Sequence, residues 1–112
     1  MNNELGVQTL RTRKRVVVYV SGDAGLANVS RLEAELTNVA SSRPPLVIVD
    51  LSGLTFIASR GIGVLMGFHR RMTLQNGKVR IVAPPSRVRD ALEIARLHSV
   101  LELFDTLDLA LQ

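Results

Sequence analysis

The stretch LVIVDLSGLTFIASRGIGVLMGFHRR, residues 46–71, reads as a strand, a loop and a helix in succession. LVIVDL (46–51) is a nearly continuous apolar run rich in β-branched residues. Such a run suits a central strand buried on both faces, as in sheets covered by helices. SGLTFIAS (52–59) reads as a loop. From Arg60 to about Leu74 the apolar residues recur at helical spacing, and Asn76-Gly77 supplies the stop. Ile62, Leu65, Met66, His69 and Met72 form the expected core stripe, with His69 at its rim. Ser59, Gly63, Gly67 and Arg70 fall on a second strip, with Val64 and Phe68 between the two.

Outward from this unit the alternation continues. Residues 5–12 (LGVQTLRT) alternate weakly, as an edge strand does, and Val16 to Val20 is a stronger strand. A helix is expected from about Asn28 to Ala40, with Ser30 and Glu33 at capping-box spacing and an apolar stripe of Leu32, Leu36, Val39 and Ala40. SSRPP ends it, because two prolines cannot continue a helix. KVRIVAP (78–84) reads as a strand. Ser86 can cap a third helix, on which Val88, Ala91, Leu92 and Ala95 share a face. Leu101 to Phe104 reads as a short strand, and Leu107, Ala110 and Leu111 suit a closing helical turn within Thr106 to Leu111. The order β-β-α-β-α-β-α-β-α implies crossover connections and a mixed, mostly parallel sheet of four or five strands under about four helices. Its expected core draws on Val16, Val18, Val20, Val47, Val49 and Ile81, with Leu36, Leu65 and Leu92 from the helices.

The chain has 112 residues, the size of one domain spanning 1–112 with its core at about 5–111. With 46% hydrophobic and 21% charged residues it has globular proportions. It has no cysteine, which excludes disulfides, thiolate nucleophiles and Cys-ligated metals. No apolar run approaches the roughly 18 residues of a membrane span, and MNNELGVQ lacks the features of a signal peptide. A cytoplasmic protein without a membrane partner is expected. The net charge is +4, and one basic cluster stands out at Arg11, Arg13, Lys14 and Arg15. No aromatic residue interleaves it, so a solvated turn is preferred over a nucleic-acid site.

Enzyme chemistry finds no constellation. His69 and His98 lack partners at metal-binding spacing, and neither phosphate-cradling glycine pattern is complete, although Gly61-Ile-Gly63 is half of one. Asp50, at the end of a strand, stands without a second carboxylate or base, as a loop organiser does. No catalytic residue, metal or cofactor is expected.

Ser59 precedes the helix, where its oxygen can serve as N-cap and its hydroxyl can accept a phosphate at the positive end of the helix dipole. Gly63 and Gly67 each cost about 1 kcal/mol in a helix interior relative to alanine. A close contact should offset that, either with the protein's own sheet or with a partner's backbone. The partner is favoured, because the glycines share their strip with Ser59.

DLSGLTFIASRGIGVL also resembles the signature D-L-S-x-[LV]-x-[FY]-[IM]-D-S-[ST]-G-[LI]-G-x-L of bacterial anti-anti-sigma factors, the single STAS domains that antagonise anti-sigma factors. The resemblance runs from the VSG and LANVSRL segments (20–32) to FDTLDLAL (104–111). It implies an α/β STAS fold and a switch. The unmodified domain would bind a GHKL-type serine-kinase anti-sigma factor and release a sigma factor, and phosphorylation would break that complex. The serine matching the phosphosite is Ser59, and the partner surface is expected at Ser59, Arg60, Gly63, Val64, Gly67 and Arg70. The chain departs from the pattern at Ala58, where members carry Asp, at Arg60, where a small hydroxyl residue is usual, and at Gly25, where many carry an acid. An alternative within the resemblance is a scaffold or accessory subunit docking on a transporter ATPase or on other STAS domains. A weak homodimer is compatible with either.

Overall fold

The computed structural model describes residues 4–112. Its elements are β1 (Leu5–Arg11), β2 (Val16–Ala24), α1 (Val29–Ser41), β3 (Leu46–Ile57), α2 (Ser59–Leu74), β4 (Lys78–Val82), α3 (Arg87–Ile94), a 3-10 turn (Leu97–Ser99), β5 (Glu102–Phe104) and α4 (Leu107–Leu111). The five strands lie side by side in chain order. β1 pairs antiparallel with β2, and every other pairing is parallel. Successive crossovers that advance in one direction, each right-handed, must place their helices on one face. Leu32, Leu36, Leu65, Val88 and Leu92 from α1, α2 and α3 are accordingly buried together with Val18, Val49 and Ile81 of the sheet. Val16, Val18, Val20, Val47, Val49 and Ile81 of the sheet, with Leu36, Leu65 and Leu92 of the helices, are buried as expected.

The opposite face is covered by α4. Leu107, Ala110 and Leu111 pack over Val17, Ile48 and Val82. Arg80 on β4 holds this helix. Its Nη1 donates to the carbonyls of Ala110 at 2.8 Å and Gln112 at 3.0 Å, and the guanidinium stands 5.9 Å from the centre of the Phe104 ring. β3 is buried on both faces from Val47 to Leu51, as its composition implied.

Three local expectations need correction. SGLTFIAS is no loop: β3 continues to Ile57, because β2 itself runs on to Ala24 and pairs with it through Ser21 opposite Gly53 and Ala24 opposite Ile57. Two register shifts in β2, between Tyr19 and Ser21 and between Gly22 and Asp23, accommodate the extension. The sheet thus reaches six residues further toward Ser59 than the serine and glycine suggest. α1 starts at Val29 with Asn28 at its N-cap position and no side-chain cap, so Ser30 lies inside the helix rather than in a capping box. Ala95 is exposed and caps α3 instead of sharing its buried face.

Other signals are realised directly. Ser86 Oγ accepts from Arg89 N at 3.1 Å and Thr106 Oγ1 from Leu109 N at 3.2 Å, capping α3 and α4. α2 ends in a Schellman motif: Asn76 adopts φ 64°, its amide donates to Thr73 O at 3.0 Å, and the amide of Gly77 donates to Met72 O at 2.8 Å. Among the described residues no helix is long and apolar enough to cross a membrane.

Candidate functional site

The C-terminal ends of β2 and β3 and the N-terminus of α2 meet at one end of the sheet. Asp50, expected to close its strand, sits inside β3, 7% exposed. Its Oδ1 accepts from the amide and hydroxyl of Ser52, at 2.9 and 2.6 Å. It organises local structure, as expected. At the end of β2, Asp23 Oδ1 accepts from Gly25 N at 2.7 Å, and Asn28 Nδ2 donates to Asp23 O at 2.9 Å. These bonds shape the turn into α1. Ala58 N donates to Ala24 O at 3.1 Å and ties the head of α2 to the same turn.

Ser59 is exposed, but it is not the N-cap. Ala58, with ψ 160°, holds that position, and Ser59 is the first residue of the helix, with no side-chain cap bond at this terminus. The first amides of α2 precede any i−4 acceptor within the helix; the earliest such bond is Ile62 N to Ala58 O at 3.1 Å. The serine hydroxyl therefore stands free at the positive end of a 16-residue helix.

The buried face of α2 is Gly61, Leu65, Phe68 and Met72. Phe68, expected between the two strips, belongs to the core. Ile62, Met66 and His69 are only half-buried. The buried face keeps Leu65 and Met72 of the expected stripe and adds Phe68, which joins the core cluster with Leu36 of α1, and Gly61 lets the backbone come close. A Cβ on Gly61 would lie 2.9 Å from Ile57 Cγ1.

Gly63 and Gly67 face outward, and a Cβ on either would meet nothing within 4 Å. Contact with the protein's own sheet therefore does not explain them. They form one wall of a groove of about 440 Å³ between α1 and α2, together with Arg60, Val64, Phe68 and Arg71. Glu33, Leu36 and Thr37 of α1 form the other. Arg60 Nη2 reaches Glu33 Oε1 at 3.9 Å across the mouth.

Four of the residues expected to meet a partner, Arg60, Gly63, Val64 and Gly67, are thus gathered in one groove. Ser59 is exposed at the head of the same helix. Arg70 is exposed but lies off the groove, and Arg71 takes its place. A strip drawn through Arg60, Gly63, Val64, Gly67 and Arg71 follows i, i+3, i+4, i+7 and i+11, and would have found Arg71. Two further features escaped the sequence reading: Phe56 is 51% exposed and Leu26 72% exposed, in the segments flanking Ser59 and Gly25. The Phe56 ring lies 3.6 Å from where a side chain on Gly25 would start. Leu26 lies two residues after β2 and Phe56 is the penultimate residue of β3, the strand beside it.

The chain matches the STAS domain family over residues 7–110. It is 28% identical over 95 residues to the anti-sigma-F factor antagonist RsfB of Mycobacterium tuberculosis, a match spanning 85% of this chain and 77% of that protein. The crystal structure of an anti-sigma factor antagonist from Mycobacterium paratuberculosis superimposes with a TM-score of 0.92 at 25% identity, covering 99% of this chain and 94% of the other. The Bacillus cell fate determinant SpoIIAA in its phosphorylated form superimposes with a TM-score of 0.73 over 95% of this chain and 96% of its own, and at 20% identity that likeness speaks for the fold alone. The five-stranded mixed sheet, the helices on its two faces and the match over residues 7–110 agree, and this chain belongs to the STAS domain family.

Proposed function

We propose that this protein is an anti-sigma factor antagonist that docks on a serine-kinase anti-sigma factor of the GHKL type and frees a sigma factor. Phosphorylation of Ser59 ends that docking. The observation that carries the reading is the open glycine strip. Gly63 and Gly67 leave a stretch of helix backbone bare, directly below an exposed serine and beside a groove with charged lips. Bare helix surface lets a partner approach closely, which offsets the roughly 1 kcal/mol each glycine costs. Phe56 and Leu26 add exposed apolar area beside it. The likeness to RsfB supports the class of partner.

The switch follows from electrostatics. A phosphate on Ser59 adds about −1.5 to −2 charges where the helix dipole and free amides accept an anion. The folded domain tolerates it. A partner seated against a neutral serine must instead leave a dianion unpaired in a closed interface, which costs several kcal/mol. Each 1.4 kcal/mol is about tenfold in affinity, so binding falls at least about a hundredfold.

The test is incubation with the cognate kinase and ATP, followed by phosphopeptide mapping and titration of each form. Phosphate found only on Ser52 or Thr55 overturns the assignment of Ser59. Binding intact without any phosphate moves the protein to the scaffold reading, which Ala58 favours because members of the family carry Asp there. Failure to bind any such kinase overturns the antagonist reading itself.

A further inference from the structure

We propose that the end of the molecule opposite Ser59 docks on an anionic lipid surface. All parallel strands begin at this end, β1 finishes there, and α1 and α2 run down to it. The chain order alone therefore gathers the β1–β2 hairpin and the loops before β3 and β4. The hairpin carries Arg11, Arg13, Lys14 and Arg15, the next loop carries Arg43, and Lys78 opens β4. None of these six cations makes an ion pair among the described residues. Of the acidic side chains, Glu4, Asp23 and Asp105 belong to the opposite end, Glu35 accepts from Thr9 Oγ1 at 2.6 Å part-way along β1, and Glu102 stands at the start of β5, 3.9 Å from Arg80.

The cations share a surface that hydrogen bonds hold together. Arg11 Nη1 donates to Ser42 Oγ at 3.0 Å, joining the hairpin to the end of α1. Gln75 Nε2 donates to Ala40 O at 3.0 Å, joining α2 to α1, and Lys78 N donates to Pro45 O at 3.0 Å. Thr12 N donates to Arg15 O at 2.9 Å and closes the hairpin.

Charge alone would suit any polyanion. Two leucines decide between them. Leu10 is 61% exposed near the end of β1 and Leu74 is 80% exposed at the end of α2, two elements that finish at this end. A phosphodiester backbone offers neither a partner, and the hairpin RTRKR (11–15) carries no aromatic side chain to stack on bases. A bilayer surface uses both kinds of group at once, with lysine and arginine among anionic headgroups and leucine at the acyl boundary. The reading of this cluster as a solvated turn holds for the hairpin's shape, and it leaves the gathered charge and the two leucines unexplained. The surface lies away from Ser59, so both ends can be engaged together.

The test is co-flotation of the full chain with vesicles of phosphatidylcholine, alone and mixed with phosphatidylglycerol, at low and at physiological salt. Binding to the anionic vesicles only, weakening with salt, is expected. Arg13→Ser combined with Lys14→Ser should lower partitioning roughly thirtyfold at low salt, and Leu74→Ser about fivefold. All three positions are exposed, and circular dichroism of each variant verifies the fold. Absence of flotation, equal flotation with neutral vesicles, or flotation that Leu74→Ser leaves unchanged overturns the proposal. So does tighter binding to a duplex DNA than to anionic vesicles at the same salt.

Discussion

The carboxylate of Asp23 occupies the space where a side chain on Gly25 would begin. Its Oδ1 lies 2.7 Å from Gly25 N and 2.8 Å from an ideal Cβ on that glycine. Many relatives of the resembling family place an acid at the position of Gly25. Here the acid two residues earlier folds back onto the same spot and brings its charge with it, beside Phe56 and one hydrogen-bonded step from Ala58. An acid on both residues would set two carboxylates against each other. Gly25→Asp in the native background should therefore destabilise the domain, while Gly25→Asp with Asp23→Ala should recover most of the loss. A double-mutant cycle from denaturant unfolding checks this coupling.

The three glycines of α2 should respond differently to alanine. Gly61→Ala places a methyl 2.9 Å from Ile57 Cγ1 in the core, and overpacking of this kind costs about 1–3 kcal/mol. Gly63→Ala and Gly67→Ala meet open space and should each stabilise the domain by about 0.5–1 kcal/mol. Gly67→Leu should fold as well as the parent and lose affinity for the kinase. Thermal melts of the set and a pull-down of the last variant measure both effects, and unfolding of Gly67→Leu on its own would refute the open strip.

Ser59→Ala should leave stability almost unchanged, within about 0.5 kcal/mol, because the hydroxyl caps nothing. A true N-cap serine would lose about 0.5–2 kcal/mol. Urea midpoints of the two proteins separate these outcomes. Ser59→Asp places a carboxylate in the first turn and should raise the midpoint slightly while weakening partner binding.

Leu65 is fully buried between α2 and the sheet, and Leu65→Ala should cost about 2–5 kcal/mol. An unchanged denaturant midpoint would mean that α2 presents another face to the sheet.

Gly22 has φ +86°, and a Cβ there would run into the carbonyl of Glu4. Gly22→Ala therefore combines a left-handed backbone with a backbone clash at the β1–β2 pairing, and should destabilise more than any other single glycine substitution in the chain. Comparative melts across the glycines decide the ranking.

Much of this architecture was legible in the residues. The β-branched runs Val16–Val20 and Leu46–Asp50 became the central strands, and Ser86 capped where expected. The failures share one cause, competition that only the assembled molecule resolves. Ser52 and Gly53 favour a loop locally, yet pairing with a bulged β2 draws them into a strand. On α2, packing against α1 buries Phe68 ahead of Ile62. The N-cap lies one residue before Ser59 and two before Ser30, because a serine near a terminus signals a cap without specifying which residue begins the turn. Arg71 and the α1 wall of the groove required knowing which helix lies alongside.

The strand order along the sheet is the order of the chain, β1 to β5. During synthesis each emerging strand therefore finds its partner already made and already at the growing edge. The β1–β2 hairpin needs only local closure, and every later unit adds one helix and one strand beside the last, with no strand threaded between earlier ones. A ribosome delivering residues at about 5–20 per second gives each unit time to settle before the next arrives. The final piece to emerge, α4, covers the face that the first three helices leave bare. The nascent domain is then a sheet with one finished side and one unfinished side, until α4 has emerged to cover it.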